Sequence, residues 1–164
     1  NDGTDCQPRN GDQQVMIGEE GVYRAASNPY LEKTEFSWIV DSVGLRVTLR
    51  RIHSRYHKPL LITENELGAK DILTEDGRVH DEYRIDYLRR HFRQAQLALS
   101  DGVDLIGYCP WSFLDLVSTH QGYGKRYGFV YVNREEKDLK DMARIKKDSF
   151  YWYHNVIQTN GKEM

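Results

Sequence analysis

Two short apolar segments are each followed by side chains that could act on a sugar. Residues 60–63 lead into Glu64 and Asn65, and residues 103–108 lead into a segment that contains Trp111. A carboxylate can attack or stabilise an oxocarbenium-like centre, and an indole ring can stack on the face of a pyranose. Each feature taken alone also fits plain turn chemistry or a core tryptophan, so both interpretations stay open at this level.

The segments that carry these residues alternate with amphipathic stretches of helical period. The spacing predicts one helix over about residues 41–58 and a second over about residues 83–101. Their predicted inner faces consist of Leu45, Leu49, Ile52 and Tyr56, and of Tyr83, Tyr87, Leu88, Phe92, Ala95 and Leu99. The two apolar runs between the helices predict buried parallel strands. Because catalytic side chains of βα proteins lie at the carboxyl ends of the strands, Glu64 and Trp111 are expected at the same edge.

The remaining segments predict an incomplete α/β architecture. Residues 1–38 show no lasting period, residues 118–132 suggest a β-hairpin-like loop, and residues 139–157 suggest a last helix with Met142 and Ile145 on its inner side. Two strands do not make a parallel sheet alone, so the sequence predicts either pairing with other chains or membership of a larger α/β barrel.

Composition narrows the class of protein. The net charge is −2 with both signs mixed, which argues against a nucleic-acid or membrane-surface binder, and no apolar run approaches the roughly 18 residues of a membrane span. The only two cysteines are Cys6 and Cys109, which fits a reducing compartment and predicts a cytoplasmic protein. His80 and His91 lack metal-ligand spacing, so we expect neither a metal nor a cofactor.

Three sequence stretches together resemble one enzyme family. The stretches PLLITENELGAKD, DEYRIDYLRRHFRQAQLALSDGVDLIGYCPWSFLDLVS and GYGKRYGFVYVN resemble glycoside hydrolase family 1 in order and spacing. The resemblance runs from about Asn28 to Gly161 and is strongest to the bacterial 6-phospho-β-glucosidase branch. It implies a (β/α)8 barrel of which the chain forms the C-terminal part, with about strands 7 and 8 and their flanking helices. Residues 1–164 would then be a single partial domain, with 1–38 as an irregular loop region.

The resemblance also implies a retaining mechanism with Glu64 as the nucleophile. Members of the family carry a second carboxylate, the acid/base, in an Asn-Glu-Pro pattern, and that pattern does not occur in this sequence. The chain alone is therefore predicted to be inactive. Glu66 stands where the family usually has Gly, and it would be strained if that backbone required a positive φ.

The resemblance assigns substrate contacts to the loop after the second strand. Trp111 would be the stacking platform, and Ser118, Lys125 and Tyr127 match the pattern with which the phospho-branch binds a 6-phosphate. Plain β-glucosidases carry Glu and Trp at the positions of Ser118 and Thr119, and the small Thr119 favours a gluco substrate. A lysine and two hydroxyls suit a phosphate dianion, although Lys125 and Arg126 could equally be solvated loop charges.

The predicted partner is a 6-phosphorylated β-glucoside, such as phosphorylated cellobiose or an aryl glucoside. The alternatives are a fragment of a 6-phospho-β-galactosidase or of an unphosphorylated β-glucosidase, and a non-catalytic phosphosugar-binding fragment. An incomplete barrel also exposes strand edges and apolar helix faces, which predicts self-association of the isolated chain.

Overall fold

The chain separates into two compact units, Asn1–Asp41 and Ser42–Met164, in a computed structural model that describes residues 18–19, 23–24, 28–119 and 121–164. In the first unit, β1 (Gly18–Glu19) pairs antiparallel with β2 (Tyr23–Arg24). The irregular region predicted over residues 1–38 lies partly outside the described residues. The assignment of residues 1–164 to a single partial domain stays a prediction.

The second unit contains the predicted alternation of helices and strands. Its elements are α1 (Ser42–Tyr56), β3 (Leu60–Glu66), α2 (Glu82–Ser100), β4 (Leu105–Trp111), β5 (Val130–Val132), β6 (Arg144–Lys146) and α3 (Asp148–Gln158). Strands β3 and β4 are parallel neighbours, as the connection through helix α2 predicts. None of the helices in the described part of the chain is long and apolar enough to cross a membrane.

Two apolar clusters hold this unit together. One joins Leu49 of α1 to Ile62 of β3 and to Ala98 at the end of α2, and the other joins Phe92 of α2 to Val156 of α3. The predicted inner faces are confirmed for Leu49, Leu88, Phe92 and Ala95, which are buried. They are wrong for Ile52, Tyr56, Tyr83 and Leu99, which are exposed and lie outside both clusters.

The last helix begins later in the structure than the sequence predicts. Helix α3 starts at Asp148, and Arg144–Lys146 is a strand that pairs antiparallel with Val130–Val132. Ile145 therefore lies opposite Tyr131 in a sheet, and Met142 has a positive φ of 55° that interrupts any helix. The β-hairpin-like loop predicted over residues 118–132 is confirmed only in part, because Ser118 and Gly122 form an antiparallel bridge but β5 pairs with β6 from beyond the segment.

Candidate active site

The carboxyl ends of β3 and β4 bring Glu64 close in register to Trp111. Asn65 lies opposite Pro110 and Glu66 opposite Trp111, while Ile62 lies opposite Tyr108. The register is irregular between Ile62 and Asn65, so the irregularity covers Thr63 and Glu64, and bulges beside active sites often re-aim a side chain. Glu64 itself is exposed. Glu66 ends an extended strand, a conformation that any residue adopts.

Asn65, the amide beside the candidate nucleophile, is held by two phenols. Its amide nitrogen donates to the Tyr87 hydroxyl at 3.2 Å, and the Tyr108 hydroxyl donates to its side-chain oxygen. Burial raises the pKa of Tyr108 well above its ordinary value, so this phenol stays protonated and able to donate. The position of Asn65 is therefore fixed from both helix α2 and strand β4.

Trp111 presents part of its ring to solvent at the end of β4. Its exposed fraction on this chain is 38%, so the role of a stacking platform stays a prediction that this exposure permits. The next residue, Ser112, donates its backbone N–H to Tyr127 at 3.3 Å and accepts a bond from the Phe129 N–H at 3.1 Å. The strand end that carries Trp111 is thus joined directly to the segment that carries Tyr127.

Residues 118–127, here named the Lys125 loop, bring three of the predicted site residues together. Tyr127 donates from its hydroxyl to the Ser118 hydroxyl at 3.1 Å, and both residues are buried. The Lys125 ammonium lies 5.5 Å from the centre of the Tyr127 ring. Backbone bonds in both directions between Ser118 and Gly122, each 3.0 Å, close the loop. Thr119 is exposed beside this group.

Lys125 and Arg126 are buried, so the alternative that they are solvated loop charges is wrong. Lys125 has no exposed surface and Arg126 is 5% exposed. The Arg126 guanidinium donates to Asp115 at 3.0 Å and to the carbonyl oxygens of Val132 and Arg134 at 2.9 and 2.6 Å. Arg126 therefore shapes the loop from within, and Lys125 is the cation beside the Tyr127 ring.

A buried charge cluster underlies the loop, and sequence reasoning missed it. Its members are Asp71, Asp81, Arg84, Asp115, Arg126 and Lys147. Arg84 is central, because its guanidinium binds Asp71 at 3.0 Å and Asp81 at 2.9 Å. It also donates to the carbonyl oxygens of Leu67 at 2.6 Å and Tyr127 at 3.2 Å. Arg84 thereby links the segment after β3 to the Lys125 loop.

A further cation of the cluster is Lys147, which binds both Asp71 and Asp115. Burial by itself raises the pKa of the Asp71 carboxyl, but the charges of Arg84 and Lys147 together hold that pKa below its ordinary value. Asp71 therefore stays ionised in the folded chain. The sequence signal was the Asp81–Arg84 pair at the start of α2, where the three-residue spacing brings the two side chains together on the helix.

Two parallel strands joined through a helix, with polar side chains at their carboxyl ends, are a unit of the kind from which α/β barrels are built. The chain belongs to glycosyl hydrolase family 1, whose family model matches residues 3–162. The predicted resemblance to this family is confirmed, and the structure is a piece of a (β/α)8 barrel.

The names of the relatives include both phospho-β-glucosidases and a β-glucosidase. The chain is 57% identical to the aryl-phospho-β-D-glucosidase BglC of Bacillus subtilis, covering 90% of this chain and 31% of that protein. It is 44% identical to the 6-phospho-β-glucosidase AscB of Escherichia coli, covering 87% and 30%. A solved β-glucosidase from Thermotoga maritima with bound castanospermine is 42% identical, with a TM-score of 0.77 over 84% of this chain and 30% of that one. The chain therefore spans about 30% of the length of these relatives.

Proposed function

We propose that this chain forms the C-terminal part of a retaining β-glycosidase, with strands 7 and 8 as β3 and β4, and that the complete barrel hydrolyses 6-phospho-β-glucosides. The observation that carries the proposal is the Lys125 loop, in which a buried ammonium lies 5.5 Å from the centre of the Tyr127 ring and the Tyr127 hydroxyl is bonded to that of Ser118. A cation with two hydroxyls matches the charge and the acceptor oxygens of a phosphate dianion. A carboxylate at position 118 would repel that dianion.

Glu64 is the proposed nucleophile. Its carboxylate would attack the anomeric carbon, the glycosidic bond would break, and the covalent glycosyl-enzyme would then be cleaved by water. A second carboxyl group, about 5–5.5 Å from Glu64 in enzymes of this kind, would protonate the departing aglycone. Asn65 would help to hold the sugar, because its amide is fixed beside Glu64, and the exposed Trp111 ring would stack on the sugar face.

The burial of Lys125 has a consequence for binding. Because its side chain has no exposed surface, a phosphate reaches the ammonium only after neighbouring groups of the Lys125 loop move aside. Substrate binding and loop rearrangement would then be coupled. Only a substrate that carries the phosphate would gain the charged bonds that offset the free energy of this rearrangement. The exposed Thr119 leaves space at the sugar side of the loop and supports a gluco substrate, phosphorylated cellobiose or an aryl 6-phosphoglucoside.

The test is a comparison of two substrates by a completed barrel, in which this chain replaces the matching 31% of the Bacillus subtilis relative. We expect kcat/KM for an aryl 6-phospho-β-glucoside to exceed that for the unphosphorylated glucoside by at least about a hundredfold, as a charged bond worth about 3 kcal/mol would give. Preference for the neutral sugar would overturn the phosphate assignment. An aryl 6-phospho-β-galactoside, measured in parallel, tests the gluco preference.

The similarity to the Thermotoga maritima β-glucosidase favours one second candidate, an unphosphorylated β-glucosidase, and the same comparison of substrates decides between the two. For the isolated chain we propose inactivity and self-association, because the apolar Leu61 and Ile106 on the two paired strands are half or more exposed. The two widely separated cysteines support a cytoplasmic location.

A further inference from the structure

Gly68 occupies a place where no side chain fits. A Cβ atom added there would lie 2.2 Å from Cε of Lys125, 2.8 Å from its Cγ and 2.8 Å from Cε1 of Tyr127. Cβ atoms in real structures essentially never lie within 3.0 Å of an atom outside their own residue and its chain neighbours. Gly77 and Gly122 adopt left-handed backbone, whereas Gly68 does not. The glycine at position 68 therefore supplies space for Lys125 and Tyr127, not conformational freedom.

The backbone around Gly68 is held on both sides. Leu67 accepts a bond of 2.6 Å from the buried Arg84, and Ala69 exchanges two backbone bonds with Arg126, at 2.9 and 2.8 Å. Because these bonds anchor the segment, it does not retreat easily from an added methyl group. The opposing side chains are confined as well, since Lys125 is fully buried. A side chain at position 68 must therefore displace Lys125, Tyr127 or both.

We propose that Gly68 is a positioning residue that sets the place of the Lys125 ammonium and so determines selectivity for the phosphorylated sugar. The inference rests on the proposed function, in which Ser118, Lys125 and Tyr127 bind the phosphate. Gly68 follows Glu64 by only four residues, in a segment anchored by Arg84. The same short segment thus carries the proposed nucleophile and the glycine against which the phosphate-binding lysine packs. It therefore fixes the distance between the protein groups that would bind the two ends of the substrate.

The test is Gly68→Ala in the completed barrel, assayed on the aryl 6-phospho-β-glucoside and on the unphosphorylated glucoside. We expect kcat/KM for the phosphorylated substrate to fall about ten- to a hundredfold, mainly through KM, as for a misplacement of about 1 Å. Hydrolysis of the unphosphorylated glucoside should stay within about twofold, because the added methyl group lies at the lysine and not at Glu64. A ratio of the two activities that stays at the parent value would overturn the proposal, whether both activities are retained or both fall equally.

Gly124→Ala is the matched control. It makes the same chemical change one residue from Lys125, but its Cβ would meet nothing closer than the Gln121 carbonyl oxygen, at an ordinary 3.5 Å, and its backbone is not left-handed. We expect the ratio of the two activities to stay within about twofold of the parent barrel. A loss as large as that of Gly68→Ala would show that any change near the loop suffices, and it would overturn the specific role of Gly68.

A double substitution separates this inference from the proposed function. In a Lys125→Ala background both lysine contacts are gone and the vacated space lets the Tyr127 ring yield, so adding Gly68→Ala should lower activity on the phosphorylated substrate by no more than about twofold further. If Gly68→Ala alone does not fold, the pair should regain folding, and failure of both to fold would overturn the contact. If Lys125→Ala itself leaves the selectivity unchanged, the proposed function fails. If only Gly68→Ala does so, the positioning role alone fails.

Discussion

The strand edge, formed by Glu64, Asn65 and Trp111, and the Lys125 loop belong to the same unit but are held in different ways. Glu64 and Trp111 are exposed at the ends of two parallel strands. In the loop, Ser118, Lys125 and Tyr127 are buried against a cluster of charges that comes from four parts of the chain. The geometry of the loop is therefore a property of this chain, whereas the reacting geometry at Glu64 depends on the groups that face it in the complete barrel.

The comparison separates two kinds of contribution to activity. Substitutions at the strand edge should change the chemical step for every substrate and leave stability nearly intact. Substitutions of Ser118, Lys125, Tyr127 or the charge cluster should change stability or phosphate selectivity and leave the chemical step alone. A strand-edge substitution that changes phosphate selectivity, or a loop substitution that slows the chemical step, would show that the two regions act as one.

The largest expected effect comes from Glu64→Gln in the completed barrel. Without the carboxylate the covalent intermediate does not form, so kcat should fall at least about ten-thousandfold, or about 5.5 kcal/mol, for phosphorylated and neutral glucosides alike. The melting temperature should not fall, because Glu64 is exposed. The matched control is Glu75→Gln, an exposed carboxylate in the loop after β3, which should retain full activity. Normal turnover by Glu64→Gln would remove the nucleophile assignment.

The second-largest expected effect is a loss of stability caused by Arg84→Met. The substitution leaves the buried carboxylates of Asp71 and Asp81 without their shared guanidinium, which should lower the free energy of unfolding by about 3–5 kcal/mol. Urea denaturation of the completed barrel measures this loss. Arg93→Met changes an exposed arginine of the same helix and should cost less than about 0.5 kcal/mol. Equal losses in the free energy of unfolding for the two variants would mean that the charge cluster does not stabilise the loop.

Much of the fold could be predicted because its helices and strands carry strong local periodicity. The alternation of α1, β3, α2 and β4 follows from apolar spacing alone. The segment around Ile145 could not be assigned in this way, since a short apolar pattern fits a helix or a strand equally well. Its state is decided by pairing with Tyr131, a contact that no local pattern contains.

The candidate site was likewise predictable only in part from the sequence. The motifs predicted that Ser118, Lys125 and Tyr127 belong together, and the structure brings them together. The burial of Lys125 and Arg126 was not predictable from their type, because charged residues are rarely buried unless paired. The charge cluster beneath them joins distant parts of the chain, since Lys147 binds Asp71 across 76 positions of sequence. Roles for Glu64, Trp111 and the Lys125 loop stay predictions until they are measured.

The smallest expected effect belongs to a single hydroxyl of the loop. Ser118→Ala removes the acceptor of the Tyr127 bond and one proposed donor to the phosphate, so kcat/KM for the phosphorylated glucoside should fall roughly tenfold, about 1–1.5 kcal/mol. Turnover of the neutral glucoside should not change, since the strand edge is untouched. Tyr127→Phe removes the same bond from its other side, so the double variant should lose less than the sum of the two. Strict additivity would mean that the two hydroxyls act separately, and a matching loss on the neutral glucoside would mean that the loop and the strand edge are not independent.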